Sequence, residues 1–258
     1  MPNIPTEPIP SSDPPPPSDD PPCPPQAEIH CLAAVSHELR TALNVILGLA
    51  DLLQQTDDLQ KARRQASMIH DSGLVMHALL DDMLEYSLLA SGAARPRPEP
   101  FSPEMLLAEL YDTFAIQARA AGSDFLTPPP ATLPERLHGD ALHARHALAR
   151  LLELALKLAP RGEIHADFHF TPIKAQTSLL RGTIRASGCL LNELQCKSLF
   201  KPLRAHADAL PRLPNPPGFG PAIARAWIRL LGGTLKVRCT PSELSTFNFE
   251  IPFSQHHH

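Results

Sequence analysis

His37 is the side chain of this 258-residue chain with the clearest capacity for group transfer, and its neighbours say how it is held. Leu32, Val35, Leu39, Ala42, Ile46, Leu49 and Leu53 recur at spacings of 3, 4, 3, 4, 3 and 4. That is a heptad seam, with these residues at positions a and d, and it places His37 at f, pointing away from the seam. A neutral imidazole nitrogen, free in solvent on a rigid helix, is the nucleophile needed to take up a mobile phosphoryl group as a phosphoramidate. Position f taken alone equally describes an ordinary surface histidine. Other constellations are thinner. His165 and His169 share a strand face with Asp167, and His143 and His146 sit three apart on a helix; either could hold a metal, but such spacing is a weak signal. No metal site is expected. His30, and His70 with His77 at heptad spacing, read as surface or bundle positions. Cys189 and Cys196 could form a redox pair, with nothing beside them to activate a thiolate. Trp227 lies on an apolar helix face and reads as core.

The elements that must carry these residues follow from periodicity. After a polar break at Thr56-Asp57-Asp58, a second stripe runs through Ile69, Met76, Leu79, Met83, Tyr86 and Ala90. Two such helices on a short loop make an antiparallel hairpin. Leu43, Leu47, Leu80 and Leu84 lie outside the seam and widen the apolar face beyond what a hairpin can cover, so pairing into a dimeric four-helix bundle is expected. Ser91-Gly92 and the run Arg95-Pro96-Arg97-Pro98-Glu99-Pro100 end the second helix and open a linker. Beyond it, Ser102 to Ala121 reads as a helix with Ser102 as N-cap and Pro103 in the first turn, and Asp140 to Leu158 reads as another. Strands are expected at His165 to Phe170, Ser178 to Arg185, Thr234 to Cys239 and Thr246 to Ile251, with a helix from Pro221 to Leu231. Helices interspersed with a mainly antiparallel sheet indicate an α+β sandwich.

Bulk composition narrows the setting. Twelve of the thirty prolines fall within the first 25 residues, a stretch with almost no large apolar side chains. It reads as a disordered, partly polyproline-like tail, more a tether than a partner ligand. A net charge of −4 with mixed signs gives no electrostatic case for nucleic acid or anionic membrane, and the basic residues between Lys201 and Arg212 are too sparse for one. Five cysteines without a Cys-x-x-Cys pair fit free thiols in a reducing compartment. No apolar run reaches the ~18 residues of a membrane span, and no signal sequence opens the chain, so a cytoplasmic protein with input through a partner is expected. His256 to His258 read as a purification-tag remnant.

The stretch Ser36-His37-Glu38-Leu39-Arg40-Thr41-Ala42-Leu43-Asn44 resembles the H-box of bacterial two-component histidine kinases, and the likeness continues through Leu53. Leu79 to Gly92 resembles the second dimerisation helix of that family, and the rest of the chain resembles its ATPase domain, a Bergerat-like α/β sandwich. The resemblance divides the chain into a tail (1–27), a dimerisation and phosphotransfer hairpin (28–92), a linker (93–101), an ATPase-like domain (102–253) and a short terminus (254–258). It implies that His37 accepts the phosphoryl group, that Glu38 hydrogen-bonds the imidazole, and that Thr41 positions water for dephosphorylation of a partner. It also implies that Arg40, Asn44, Leu47 and Asp51 meet a receiver domain, of a response regulator or of a hybrid histidine kinase. Ala42 stands where the family usually has proline and should leave the helix straight.

The nucleotide boxes depart much further. The N-box corresponds to Arg150 through Leu158, with Arg150 and Leu154 where the family has asparagines. The second of these normally ligates magnesium, a hard cation that wants oxygen. In the G1 box, Arg185-Ala186-Ser187-Gly188-Cys189-Leu190, Ala186 replaces the aspartate that accepts from adenine, and Leu190 replaces a glycine. The G2 box is better kept, as Gly218-Phe219-Gly220-Pro221-Ala222-Ile223, but Pro221 removes a backbone N–H from the helix start. Each lost buried hydrogen-bond partner costs roughly 1–3 kcal/mol. The expectation is a homodimeric histidine phosphotransferase without ATP, magnesium or another cofactor. An active non-standard kinase and a pseudokinase scaffold for a partner kinase are the alternatives.

Overall fold

Between residues 163 and 255, apolar side chains recur at alternate positions in three separate stretches. Ile164, Ala166, Phe168 and Phe170 form the first; Leu180, Ile184 and Ala186 the second; Phe247, Phe249, Ile251 and Phe253 the third. Period-two burial of this kind makes a sheet with one covered face. A computed structural model describes residues 25–128, 133–174, 177–188, 195, 198–200, 218–240 and 244–255. The readings of the proline-rich tail, of Cys189 to Leu190, Cys196 and 201–212, and of the terminal histidines lie outside them.

The hairpin consists of α1 (Pro25–Gln54) and α2 (Leu59–Ala90). Helix α1 runs unbroken through Ala42, as the missing proline implied. Asp58 caps α2, its Oδ1 accepting from the Gln60 N–H at 2.8 Å and the Lys61 N–H at 3.3 Å. The seam residues Leu39, Ala42, Ile46, Leu49 and Leu53 are half-buried, while Leu43, Leu47, Leu80 and Leu84 are exposed.

The sheet domain follows as β1 (Glu99–Phe101), α3 (Pro103–Ala121), β2 (Asp124–Leu126), β3 (Leu137–Gly139), α4 (Ala141–Leu158), β4 (Glu163–Lys174), β5 (Thr177–Ser187), α5 (Gly220–Leu230), β6 (Thr234–Thr240) and β7 (Leu244–Gln255). The sheet runs β1-β3-β7-β5-β4-β2, with β6 also on β7. All pairings are antiparallel except β2 with β4. Strand β7 organises it, taking β5 along one edge and β6 then β3 along the other, with Leu137 opposite Gln255. Helices α3, α4 and α5 cover one face through Leu107, Leu110, Phe114, Leu148, Leu151, Ile223 and Trp227. The opposite face carries a Thr183 Oγ1–Asn248 hydrogen bond of 2.9 Å and an Arg181–Glu250 ion pair of 3.0 Å. Helix α3 begins as expected, with Ser102 Oγ accepting from the Met105 N–H, and ends at Gly122 with φ +71°.

Three short strands were not anticipated. β1 falls inside the segment read as a linker, and β2 and β3 lie between helices. Each is three residues long, too short for alternation to register. Cysteine chemistry differs too: Cys239 in β6 is disulfide-bonded, not a free thiol. Its partner lies outside the described side chains.

Candidate functional site

The H-box lies wholly on α1. The side chains of His37 and Glu38 are outside the described ones, so the f-position assignment of His37 rests on spacing. The residues three, four, seven, ten and fourteen positions later are Arg40, Thr41, Asn44, Leu47 and Asp51, and all five are exposed. At 3.6 residues per turn they share a face with residue 37, a continuous strip some four turns long. Long side chains, an amide and a carboxylate along one exposed helix strip are suited to receive a partner surface.

A second cluster forms where α2 meets the sheet domain. Asp82, Glu85, Tyr86 and Leu89 fall at i, i+3, i+4 and i+7, one face of α2. The Arg150 Nη2–H of α4 donates to Asp82 Oδ1, and its Nη1–H donates to Glu153 Oε2 at 3.2 Å. The Trp227 indole N–H donates to Glu85 Oε1 at 2.6 Å. Tyr86 packs on Phe219 with ring centroids 5.3 Å apart, and Met83, Tyr86 and Leu89 all pack against the sheet-domain core. Behind Trp227, the His143 ring stacks at 3.7 Å. The Asp140 carboxylate receives the His143 ring at 2.6 Å, the His143 N–H at 3.0 Å, and the Arg97 N–H at 2.6 Å.

Burial and charge set the ionisation here. Burial pushes the Asp82 carboxyl up to about 6, although the Arg150 guanidinium opposes it, and Glu153 and Glu85 reinforce the rise. Arg150 is the reverse: burial would lower it, but Asp82 and Glu153 hold it above its ordinary value. For Asp140, burial is outweighed by the three hydrogen bonds from His143 and Arg97, and its pKa is lowered. Burial, with Arg145 nearby, keeps His146 below the usual imidazole range.

The residues that the resemblance assigns to the nucleotide boxes are thereby placed. Arg150 is committed to carboxylates, and Leu154 is 2% exposed in the core. Ala186 is fully buried in β5, opposite Ile164 and Ser245. Gly188 and Gly218 adopt φ of +76° and +62°, as glycine-dependent turns should. Gly220 packs on Arg150, since a Cβ there would stand 3.4 Å from the Arg150 Cδ. Thus Arg150 and Gly220 come together, and Leu154 and Ala186 present only hydrocarbon. His165, Asp167 and His169 stay on the outer face of β4, and no group of metal-ligating side chains occurs among the described residues. No described helix is long and apolar enough to cross a membrane.

Asp82 and Glu85 were missed by sequence reasoning, and Tyr86 and Phe219, read in the α2 stripe and the G2 box, were not expected to meet. Their signal was present: two carboxylates on an otherwise apolar helix face demand partners once that face is covered. Trp227 is core, as read, but also carries a buried polar contact that an apolar stripe does not announce.

Comparison with known proteins agrees with this architecture. Residues 28–92 match the His Kinase A (phospho-acceptor) domain. The chain is 28% identical over 229 residues to hybrid signal transduction histidine kinase A of Dictyostelium discoideum, covering 86% of this chain and 11% of that protein. It is 28% identical over 223 residues to the autoinducer 2 sensor kinase/phosphatase LuxQ of Vibrio vulnificus, covering 86% of this chain and 26% of that one. The chain therefore spans about a tenth to a quarter of the length of these relatives. Its fold matches histidine kinase ThkA in complex with response regulator TrrA, at TM-score 0.61 and 20% identity over 86% of this chain and 60% of ThkA. Residues 28–92 thus match the phospho-acceptor domain of histidine kinases, and the chain as a whole shares its fold with a histidine kinase of known structure.

Proposed function

We propose that this protein is a histidine phosphotransferase, carrying a phosphoryl group on His37 and exchanging it with receiver-domain aspartates without binding ATP. In the forward step the imidazole nitrogen attacks phosphorus of an aspartyl phosphate. The N–P bond forms, the P–O bond to the aspartate breaks, and the imidazole N–H proton passes to a base, for which Glu38 is adjacent in sequence. Thr41 would position water in the hydrolytic direction, and the strip Arg40, Asn44, Leu47 and Asp51 would seat the receiver domain of a response regulator or hybrid kinase. The solved ThkA structure pairs a protein of this fold with a response regulator. The reading includes a homodimer, in which the exposed leucines of α1 and α2 are covered, and a cytoplasmic site of action.

The observation that carries the loss of ATP is the N-box. Leu154 is buried hydrocarbon at the metal-ligand position, and Arg150 is engaged by Asp82 and Glu153. A nucleotide–magnesium complex needs oxygen ligands there, so ATP and magnesium do not fit these residues. A second reading, an autophosphorylating sensor kinase, is favoured by the relatives themselves, which are sensor kinases at 28% identity.

Incubation with γ-labelled ATP and magnesium separates the two. Absence of acid-labile label on His37, with label arriving instead from a phosphorylated receiver domain, is the expected result. Label taken directly from ATP would establish the kinase. Failure to accept from any donor would leave the scaffold role.

A further inference from the structure

The junction between α2 and the sheet domain carries an arrangement that phosphotransfer alone does not explain. Arg150 stands at a position where the family places a nucleotide-contacting residue, yet its guanidinium reaches across to α2. The Arg150 side chain is 27% exposed and the Asp82 side chain 11%, so this is a largely desolvated pair. Removing Arg150 leaves the Asp82 carboxylate without its cation in a poorly hydrated place, and removing Asp82 leaves the guanidinium held by Glu153 alone. Gly220 lies against the Arg150 stem, and the intervening Phe219 is fully buried against Tyr86. Trp227 adds a hydrogen bond to Glu85. Sheet-domain groups from two helices therefore meet one face of α2 in a charged pair, an indole hydrogen bond and an aromatic contact.

From these contacts we infer that Arg150 is a clamp. It holds the sheet domain against the phospho-acceptor hairpin in one orientation, using a residue position that a nucleotide would otherwise engage. Moving the domain away would separate the Arg150–Asp82 pair and expose Phe219 and Trp227 to water at the same time. The Asp140 carboxylate holds the Arg97 backbone of the linker at the other side of His143 and Trp227, so the domain is restrained at its tether as well as at its face. The sheet domain is thus a fixed shelf beside the hairpin, presented unchanged to a docking partner. The inference deepens the phosphotransferase reading and rests on it only in assigning no nucleotide to this surface.

Hydrogen–deuterium exchange on the full chain tests the clamp, comparing wild type with Arg150→Ala, Asp82→Ala and the double variant. Both single variants should accelerate exchange about tenfold in α2 from Leu79 to Ala90 and in α5 from Gly220 to Leu230, with β4 and β5 unchanged. The double variant should be no faster than the faster single one, because both remove the same contact. Unchanged exchange in the singles, effects that multiply in the double, or acceleration spread through β4 and β5 would each overturn the clamp. Titration of the same samples with trinitrophenyl-ATP and magnesium addresses the parent reading separately. Binding by wild type would remove the no-ATP reading while the exchange result still decides the clamp.

Discussion

His37 and Leu154 set the residue-scale expectations. Replacing His37 with alanine should abolish phosphoryl uptake from a phosphorylated receiver while the oligomeric state stays the same, since f positions do not pack. Phosphate transfer retained by His37→Ala in a relay assay would refute the assignment. Leu154→Asn restores the family's residue at one position but places an amide in a site that is 2% exposed and lined by hydrocarbon. It should lower stability by about 2–4 kcal/mol in urea denaturation and still show no nucleotide binding, because Ala186 and Arg150 remain. At this scale the H-box was readable because nine consecutive residues carry it. The Arg150–Asp82 pair joins residues 68 apart, and no local pattern brings those together.

Helix starts were the most legible elements, because Ser102 and Asp140 are N-cap residues acting on backbone three positions away. Strands β4, β5 and β7 were foreseen but drawn too short: polar ends such as Ser254 in β7 pair with neighbours without burying anything. Gly182 shows how tightly these strands mesh, since a Cβ there would lie 2.2 Å from the Phe249 ring and 2.6 Å from that of Phe168. Gly182→Ala should therefore destabilise the sheet domain by about 2–3 kcal/mol, visible as a lower urea midpoint, with the hairpin's helical signal less affected. At the junction of α2 and α4, Asp82 titrates among Arg150, Glu153 and Lys157 on α4 and Glu85 on its own helix. Its folded-state pKa of about 6 lies above the ordinary 3.8, so the folded chain binds a proton that the unfolded chain releases between those values. The stability contributed by that proton is complete below the unfolded value and lost as pH rises through about 6. Relative to Asp82→Asn, wild type should lose stability on the order of 2 kcal/mol between these limits. A pH-independent difference between the two proteins would show that Asp82 does not titrate there.

For the whole molecule, the exposed apolar strip of the hairpin is the feature with the largest consequence for assembly. Leu80, Leu84 and Leu88 follow one another at four-residue spacing on α2, and Leu84 is 65% exposed. Such a strip on a two-helix hairpin is what pairing of two copies covers. Leu84→Glu should shift the protein from dimer toward monomer in sedimentation velocity, with unchanged helical content. The two-part plan of hairpin then sandwich was legible because hydrophobic period changes from 3.5 to 2 along the chain. How the parts meet was not, because that depends on faces already committed to other periodicities.

The register of β3 on β7 also governs how the protein is made. Leu137 pairs with Gln255, so the sheet cannot close until residue 255 has been synthesised. The contacts between α1 and α2 are all available once residue 90 is made, 165 residues earlier (255 − 90). At typical translation rates that interval is roughly ten to thirty seconds, far longer than helices need to form. A nascent hairpin, already helical while its sheet domain is unfinished, can meet a second one on a neighbouring ribosome before the shelf beside it exists.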